Sequence, residues 1–313
     1  MLLVSVNSAR DGWHIIGAFV DHDPDLEVVI VSFRAWPLLR RCLQSLAEHL
    51  APVVKTRVHV VDNASGDGTP DAVAQNFSTV TLHRRESNDG FAVANNSVLG
   101  SVEAPFVLVL NPDTELLPGA VEHLLDVMAS DDRIGVLGCR LVQLDGSFDH
   151  AAKRSFPRPL DAVEYFLRRR GGGARYLAPH VGENEMGRVD AVNGAFMLIR
   201  TAAMRQVGLF DEAYWMYGED LDWCKRFANM GWDVVYDGRV SVVHLKGGTS
   251  GGARSWKLNW HFHKSMAIFY RTHSSGKNLA VDGAVYLGII LRWITAVLQS
   301  TISRALHRRA GRR

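Results

Sequence analysis

An α/β fold, with a mostly parallel central sheet flanked by helices and a helical extension at the C-terminus, is what this sequence predicts. Three observations carry that prediction. From Glu27 to about Ser130, β-branched runs alternate with stretches of helical spacing, the order that builds parallel strands through right-handed crossovers. The strand runs are apolar throughout rather than alternating, as strands covered on both faces must be. Polar residues sit just past their ends, where sheets of this kind bind ligands.

The first strand is Val28 to Ser32. Pro37 then stands where a first helical turn tolerates proline, and Leu39, Cys42, Leu43, Leu46 and Leu50 make one apolar face. A second strand, Val58 to Val61, runs into the turn-forming Asp62-Asn63-Ala64-Ser65-Gly66-Asp67-Gly68, after which Thr69-Pro70 opens a helix. A third strand near Val80 to His83 precedes Asn88-Asp89-Gly90-Phe91 and a helix through Val98. The fourth, Phe106 to Leu110, ends in Asn111-Pro112-Asp113. Ser32, Asp62 and Asp113 should therefore meet in one crevice.

Beyond Ser130 the pattern is mixed. Arg133 to Val142, Ala195 to Ile199 and Val240 to Val243 read as strands. Leu160 to Gly187, with Arg168-Arg169-Arg170-Gly171-Gly172-Gly173, reads as a helix end and a loop. Met1 to Pro24 shows no period and reads as an extension or edge element. Past Gly252 a helical region ends in Ala284 to Ile302, apolar but interrupted by Arg292, and so short of an uninterrupted membrane span. Arg304, His307, Arg308, Arg309, Arg312 and Arg313 follow. A helix lying on an anionic membrane surface is the expected reading, and a soluble or dimer-forming helix the alternative.

Composition narrows the field. The chain has 313 residues, 47% hydrophobic, with a formal charge of +2. That length fits one α/β core with an appendage as well as two domains. Three widely spaced cysteines without a Cys-x-x-Cys pair argue against a disulfide framework or cysteine zinc site and suit a reducing cytosol. No basic stretch followed by an apolar run opens the sequence, so the catalytic part is expected to face the cytoplasm. Nothing points to nucleic acid.

Several segments carry candidate chemistry. Asp62 can accept from the imide N–H of uracil or thymine, although an aspartate there also caps a turn with Asn63 and Ser65. In Asn111-Pro112-Asp113, Asp113 can ligate a hard cation, or cap a proline turn. Glu219-Asp220-Leu221-Asp222 clusters carboxylates that raise one another's proton affinity, which suits a general base. Acidic residues also gather at helix N-termini for the dipole alone. The preceding Tyr214-Trp215-Met216-Tyr217 reads as a sugar-stacking wall. Lys153-Arg154 lies in a basic, proline-bounded loop, and Asn193-Gly194-Ala195 precedes a strand.

Four segments, in this order, carry a resemblance: Val60-Val61-Asp62-Asn63-Ala64-Ser65, Leu108-Val109-Leu110-Asn111-Pro112-Asp113, Gly218-Glu219-Asp220-Leu221-Asp222 and Val243-His244-Leu245-Lys246-Gly247-Gly248. Together they resemble the inverting family-2 glycosyltransferases with the GT-A nucleotide-sugar-binding fold, over roughly Glu27 to Ser250. The resemblance implies a catalytic domain at 1–252, its nucleotide half about 25–130 and acceptor half about 131–252, with a helical extension at 253–313. It implies donor contacts from Ser32, Asp62, Asn88, Asn111, Asp113, Asn193, Lys153 and Arg154. A divalent cation, Mg2+ or Mn2+, would be held by Asp113 and His244, the latter from a His-x-x-Gly pattern continued by Gly247, Thr249 and Ser250. Asn111 departs from the family's Asp-x-Asp and leaves the metal shell less defined. Asp220 would be the base, with Glu219 and Asp222 orienting it or binding acceptor hydroxyls.

The run Asn-Pro-Asp, Asn-Gly-Ala, Glu-Asp-x-Asp-x-Cys-x-Arg is most similar to the rhamnosyltransferase branch, which implies a dTDP-rhamnose donor. The length and basic tail are similar to members that act on a GlcNAc-diphospho-polyprenol in cell-wall arabinogalactan linker synthesis. That implies a lipid-linked diphosphate acceptor and peripheral attachment to the inner face of the plasma membrane. Two other classes stay open. A nucleotidyltransferase would need glycines after the first strand, which Ser32-Phe33-Arg34-Ala35-Trp36 lacks; a non-catalytic sugar-binding protein would tolerate loss of Asp113 or Asp220.

Overall fold

In the computed structural model, strand β1 (Leu26–Ser32) is buried along its whole length and forms the axis of the sheet. The structure describes residues 19–20, 23–157, 175–245, 255–276 and 278–310, with backbone alone for 302–310. Most of the Met1 to Pro24 extension, the Arg168–Gly173 run, Lys246 to Ser250 and the tail arginine side chains lie outside these residues.

Helix α1 (Trp36–His49) opens with Pro37 in its first turn and buries Leu39, Cys42, Leu43 and Leu46. Strand β2 (Thr56–Asp62), helix α2 (Thr69–Asn76), strand β3 (Thr81–Arg84), helix α3 (Phe91–Leu99) and strand β4 (Phe106–Leu110) complete the first half. Short β5 (Thr114–Glu115) and helix α4 (Ala120–Ser130) lead to β6 (Ile134–Val142), followed by β7 (Lys153–Arg154), β8 (Met186–Arg188), β9 (Ala191–Val192) and β10 (Phe196–Arg200). Helices α5 (Thr201–Val207) and α6 (Glu219–Asn229) precede β11 (Asp233–His244), and α7 (Trp256–His273) and α8 (Leu279–Ala310) end the chain. Strand β8 falls within the span read from sequence as helix end and loop.

The main sheet runs β3-β2-β1-β4-β10-β6-β11-β5, with β8 beside β11. β1 pairs in parallel with β2 and β4, whereas β10 is antiparallel to both β4 and β6. That reversal matters for function. Ser32 lies opposite Asp62 in the β1–β2 register, and Phe196, at the start of β10, lies opposite Leu110, at the end of β4. The approach to β10, Asn193-Gly194-Ala195, thus arrives at the edge where β1, β2 and β4 finish. On the far side β5 pairs with β11 so that Thr114 faces His244. This sets Asp113 beside the histidine.

Helix α6 begins at Glu219, so the acidic run forms its first turn. Gly218 takes a left-handed φ of 85° and lets the chain turn sharply into the helix. Helix α7 packs on the catalytic body: His273 Nε2 lies 2.7 Å from Asp222 Oδ1, and Ser265 Oγ donates to the Met216 carbonyl. Helix α8 hangs on α7 through the Tyr270 hydroxyl, which donates to Asp282 at 2.6 Å, and through the Trp260–Trp293 edge contact. Its Leu279–Thr301 stretch is 23 residues of mean hydropathy 1.6, long and apolar enough to cross a membrane by length and composition, with Asp282 and Arg292 inside it. Leu287, Ile290, Leu291, Ile294 and Leu298 all stand exposed, a stripe at helical spacing.

Candidate active site

At the ends of β1 and β2 the protein leaves polar atoms without partners. Ser32 Oγ, Asp62 Oδ1 and Asn63 Oδ1 are buried with no hydrogen bond. Buried polar atoms are almost always paired, so three orphans in one place mark a ligand surface. The rest of the loop is held firmly. Asp62 Oδ2 accepts from Ser65 N–H at 3.1 Å, and the Arg34 backbone N–H donates to Ser65 Oγ at 2.8 Å.

Asn63 ties this loop to the next one. Its amide donates to Asn88 Oδ1 at 3.0 Å and to the Gly90 carbonyl at 3.2 Å. Gly90 has φ +96°, and a Cβ there would meet the Trp215 carbonyl oxygen at 2.1 Å, which is why the Phe91 N–H can reach that carbonyl at 2.8 Å. Asn88 is thereby tied to the residue that follows Asp62, and the 214–217 loop is docked onto the start of α3. Sequence reasoning took Asn63 for a turn residue; its two long-range bonds appear only in the fold.

The aromatic wall is a correction to the sequence reading. Tyr214 is wholly buried, Trp215 stacks on His261 of α7 at 4.3 Å, and Tyr217 meets Phe262 edge-on. Tyr214 belongs to the core, and Trp215 and Tyr217 meet α7.

Asp113 is 5% exposed, and its Oδ1 has no hydrogen-bond partner. Burial pushes its carboxyl above the ordinary value, against the pull of His244. His244 Nε2 lies 3.6 Å from that oxygen, and its Nδ1 lies 3.2 Å from Asp149 Oδ2. Among the described residues no group of three or more His, Cys, Asp or Glu surrounds a common point. The donors nevertheless fit a hard divalent ion completed by phosphate oxygens and water: a buried carboxylate oxygen lacking a partner, and an imidazole facing it. Asn111 stands half-buried beside them, its N–H bonded to the Ala195 carbonyl.

At the start of α6, Asp220 forms a buried ion pair with Arg154, Oδ2 to Nη2 at 2.6 Å. The same oxygen accepts from Gly194 N–H at 2.9 Å, and Oδ1 accepts from Leu221 N–H. Burial works against the Arg154 charge, but Asp220 outweighs it and the guanidinium is held protonated. Glu219 is the opposite case. Burial first, then the Asp220 charge, pushes its carboxyl up to about 8, and Oε2 is left without a partner. Glu219 thus holds its proton more tightly than an ordinary glutamate, beside an ion-paired carboxylate.

Other sequence candidates are engaged elsewhere. Lys153 Nζ donates to the Leu177 and Ala178 carbonyls, while Arg154 reaches Asp220. Asn193 Oδ1 accepts from Ala195 N–H and its amide donates to the Ala151 carbonyl, so it shapes the approach to β10. Asp222 meets both Arg226 and His273 and joins α6 to α7. His273 and Asp149 were not singled out from the sequence, since neither sits in a recognisable pattern.

Comparison with known proteins fits this geometry. The model of "Glycosyl transferase family 2" matches residues 27–194. An N-acetylglucosaminyl-diphospho-decaprenol L-rhamnosyltransferase of Mycobacterium tuberculosis is 33% identical over 267 residues, 80% of this chain and 85% of that one. The low-salt glycan biosynthesis hexosyltransferase Agl10 of Haloferax volcanii is 27% identical over 226 residues, 70% of this chain and 67% of that one. Among solved structures, the mannosyltransferase PcManGT from Pyrobaculum calidifontis, in complex with GDP-Man and Mn2+, superposes with a TM-score of 0.55 at 19% identity, covering 94% of this chain and 78% of that one. GalNAc-T7 with UDP, GalNAc and Mn2+ also gives a TM-score of 0.55, at 14% identity over 80% of this chain and 48% of that one. At those identities the structural matches speak for the fold.

Proposed function

We infer that this chain, which belongs to glycosyl transferase family 2, is an inverting rhamnosyltransferase that moves L-rhamnose from dTDP-L-rhamnose to a GlcNAc-diphospho-polyprenol acceptor. One observation carries the reading. The segment Gly194-Ala195 clasps the two halves of the site, Ala195 O accepting from Asn111 N–H while Gly194 N–H donates to Asp220. The Asn-Pro-Asp turn and the candidate base are thus held side by side by adjacent residues. The donor sugar and the lipid-linked acceptor follow from the similarity to the mycobacterial enzyme.

In this reading Asp62 accepts from the base imide, with Ser32 and Asn88 lining the nucleoside end. Asp113 and His244 would hold a divalent cation, Mg2+ or Mn2+. When bound, the cation neutralises the diphosphate leaving group. The acceptor hydroxyl gives its proton to the Asp220 carboxylate as its oxygen bonds to the anomeric carbon. The bond from that carbon to the diphosphate breaks on the opposite face, so configuration inverts. Arg154 positions Asp220. Glu219, its carboxyl pushed up by burial and the Asp220 charge, is placed beside the base to hydrogen-bond the acceptor. Asp222 acts at a distance, by holding α7.

The catalytic unit is assigned to 1–252, with α7 packed on it, and the extension to 253–313. The exposed stripe on α8 supports attachment to the membrane that carries a polyprenyl acceptor, with the basic tail on its anionic surface; the same stripe pairing two copies is the competing use. Thymine and uracil look alike to Asp62, so a UDP-sugar donor is the second reading.

The test is direct. Protein, dTDP-rhamnose, Mg2+ and a GlcNAc-diphospho-lipid analogue are incubated, and dTDP release is followed by chromatography, with Asp220→Asn as control. Acceptor-dependent release, lost in the variant, supports the reading. Release from UDP-sugars alone would replace the donor, and no release from any donor would refute catalysis.

A further inference from the structure

Asp149 lies outside every motif discussed so far, in the turn after β6, yet it is 3% exposed. Oδ1 accepts from Ala151 N–H at 3.0 Å, capping the 3-10 turn His150–Ala152. Its own N–H donates to the Leu141 carbonyl at 2.9 Å. The carboxylate is therefore fixed by the backbone on both sides, whatever occupies the site. From that fixed position Oδ2 stands 3.2 Å from His244 Nδ1, while His244 Nε2 faces the unpartnered Asp113 Oδ1 at 3.6 Å.

A neutral imidazole carries one N–H, and which nitrogen carries it is set by the groups on either side. With the proton on Nδ1, it is donated to Asp149 and the Nε2 lone pair faces the Asp113 side. With the proton on Nε2, a bare Nδ1 lone pair would face the Asp149 carboxylate, and Nε2–H would point at an oxygen too distant for a good hydrogen bond. The first arrangement satisfies the Nδ1 end and leaves Nε2 and Asp113 Oδ1 as two facing acceptors open to a shared ligand; the second satisfies neither nitrogen.

We propose that Asp149 is a positioning residue, fixing the His244 ring and its Nδ1–H tautomer so that Nε2 is presented as a ligand beside Asp113. The inference rests on the reading of Asp113 and His244 as the cation pair. Outer carboxylates of this kind typically change metal affinity 10–100-fold.

Two measurements test it. In full-length wild type with 15N-labelled histidine, long-range 1H–15N correlation reads the His244 tautomer: Nδ1–H is expected, and Nε2–H would overturn the proposal even if the Asp149 variants fail to fold. In a titration of Mn2+ in the presence of dTDP, followed by the free-ion EPR signal, Asp149→Asn should bind Mn2+ about 10-fold or more weakly, with donor turnover recovering at high Mn2+. His244→Ala should lose the site. Wild-type affinity in Asp149→Asn would sink the role of Asp149 while leaving the cation pair intact. If wild type itself takes up no Mn2+ with dTDP, the pair and this inference fall together.

Discussion

The two ends of the central sheet treat buried carboxylates in opposite ways. At the amino end of β1, Glu27 is 1% exposed and completely engaged: it accepts from the Glu103 and Ala104 N–H groups and meets His59 at 2.8 Å. Burial raises its carboxyl, but the His59 contact and the Ala104 and Glu103 bonds outweigh it and hold the group down to about 2. At the carboxyl end, Asp113 is equally buried, yet one oxygen is unpartnered and the carboxyl is pushed up. The chain therefore has the means to satisfy a buried charge, as it does again for Asp220 through Arg154, and yet leaves Asp113 short of a partner. Unmet hydrogen-bonding capacity gathers where the strands finish, as expected if a ligand supplies the missing partners.

That contrast can be broken by mutation, and the largest effect belongs to the carboxyl end. Asp113→Ala should remove turnover to below detection while the melting temperature stays level or rises, because an unsatisfied buried carboxylate is lost. Asp220→Asn comes next, with kcat down about 10^2–10^4-fold, the usual worth of a general base, and nucleotide binding preserved. At the amino end the pattern should invert. Glu27→Leu would strand the Glu103 and Ala104 N–H donors and should cost about 3 kcal/mol or more in chemical denaturation, with kcat unchanged in the protein that remains folded.

The smallest effect sharpens the comparison through pH. Glu27, with a folded value below its unfolded one, stabilises fully above about pH 4.5, and that stability is lost as pH falls toward 2. Glu219 has the opposite sign. Between about 4.5 and about 8 the folded state binds the extra proton, so its contribution declines as pH rises through that window. Glu219→Gln should flatten the fall in melting temperature between pH 5 and 8 and keep most of the turnover at pH 7. A variant as slow as Asp220→Asn would instead make Glu219 the base.

How much of this was legible beforehand depends on range. Strands β1, β2 and β4 announce themselves because both faces are covered, so each reads as an unbroken apolar run. The direction of β10 does not, since Ala195 to Ile199 looks the same in a parallel or antiparallel strand. β11 was read only from Val240 because Asp237, Gly238 and Arg239 interrupt its pattern where the register to β6 slips. Within the site, Asp62 and Asp113 could be picked out by position at strand ends, and Asp220 through the resemblance that its acidic segment carries. Their partners could not. Arg154 is 66 residues from Asp220, Asp149 is 95 from His244 and His273 is 51 from Asp222, and only the packing brings them together.

A carboxyl end that the protein itself leaves incomplete should be completed by a nucleotide and a cation acting together. Thermal unfolding of wild type with dTDP, with Mn2+, and with both tests it most directly. A small shift is expected with either alone and a much larger one together, a ligand at about 100 times its Kd adding about 2.7 kcal/mol, with the synergy abolished in Asp113→Ala. Equal stabilisation of wild type and Asp113→Ala, or none by the pair, would contradict it.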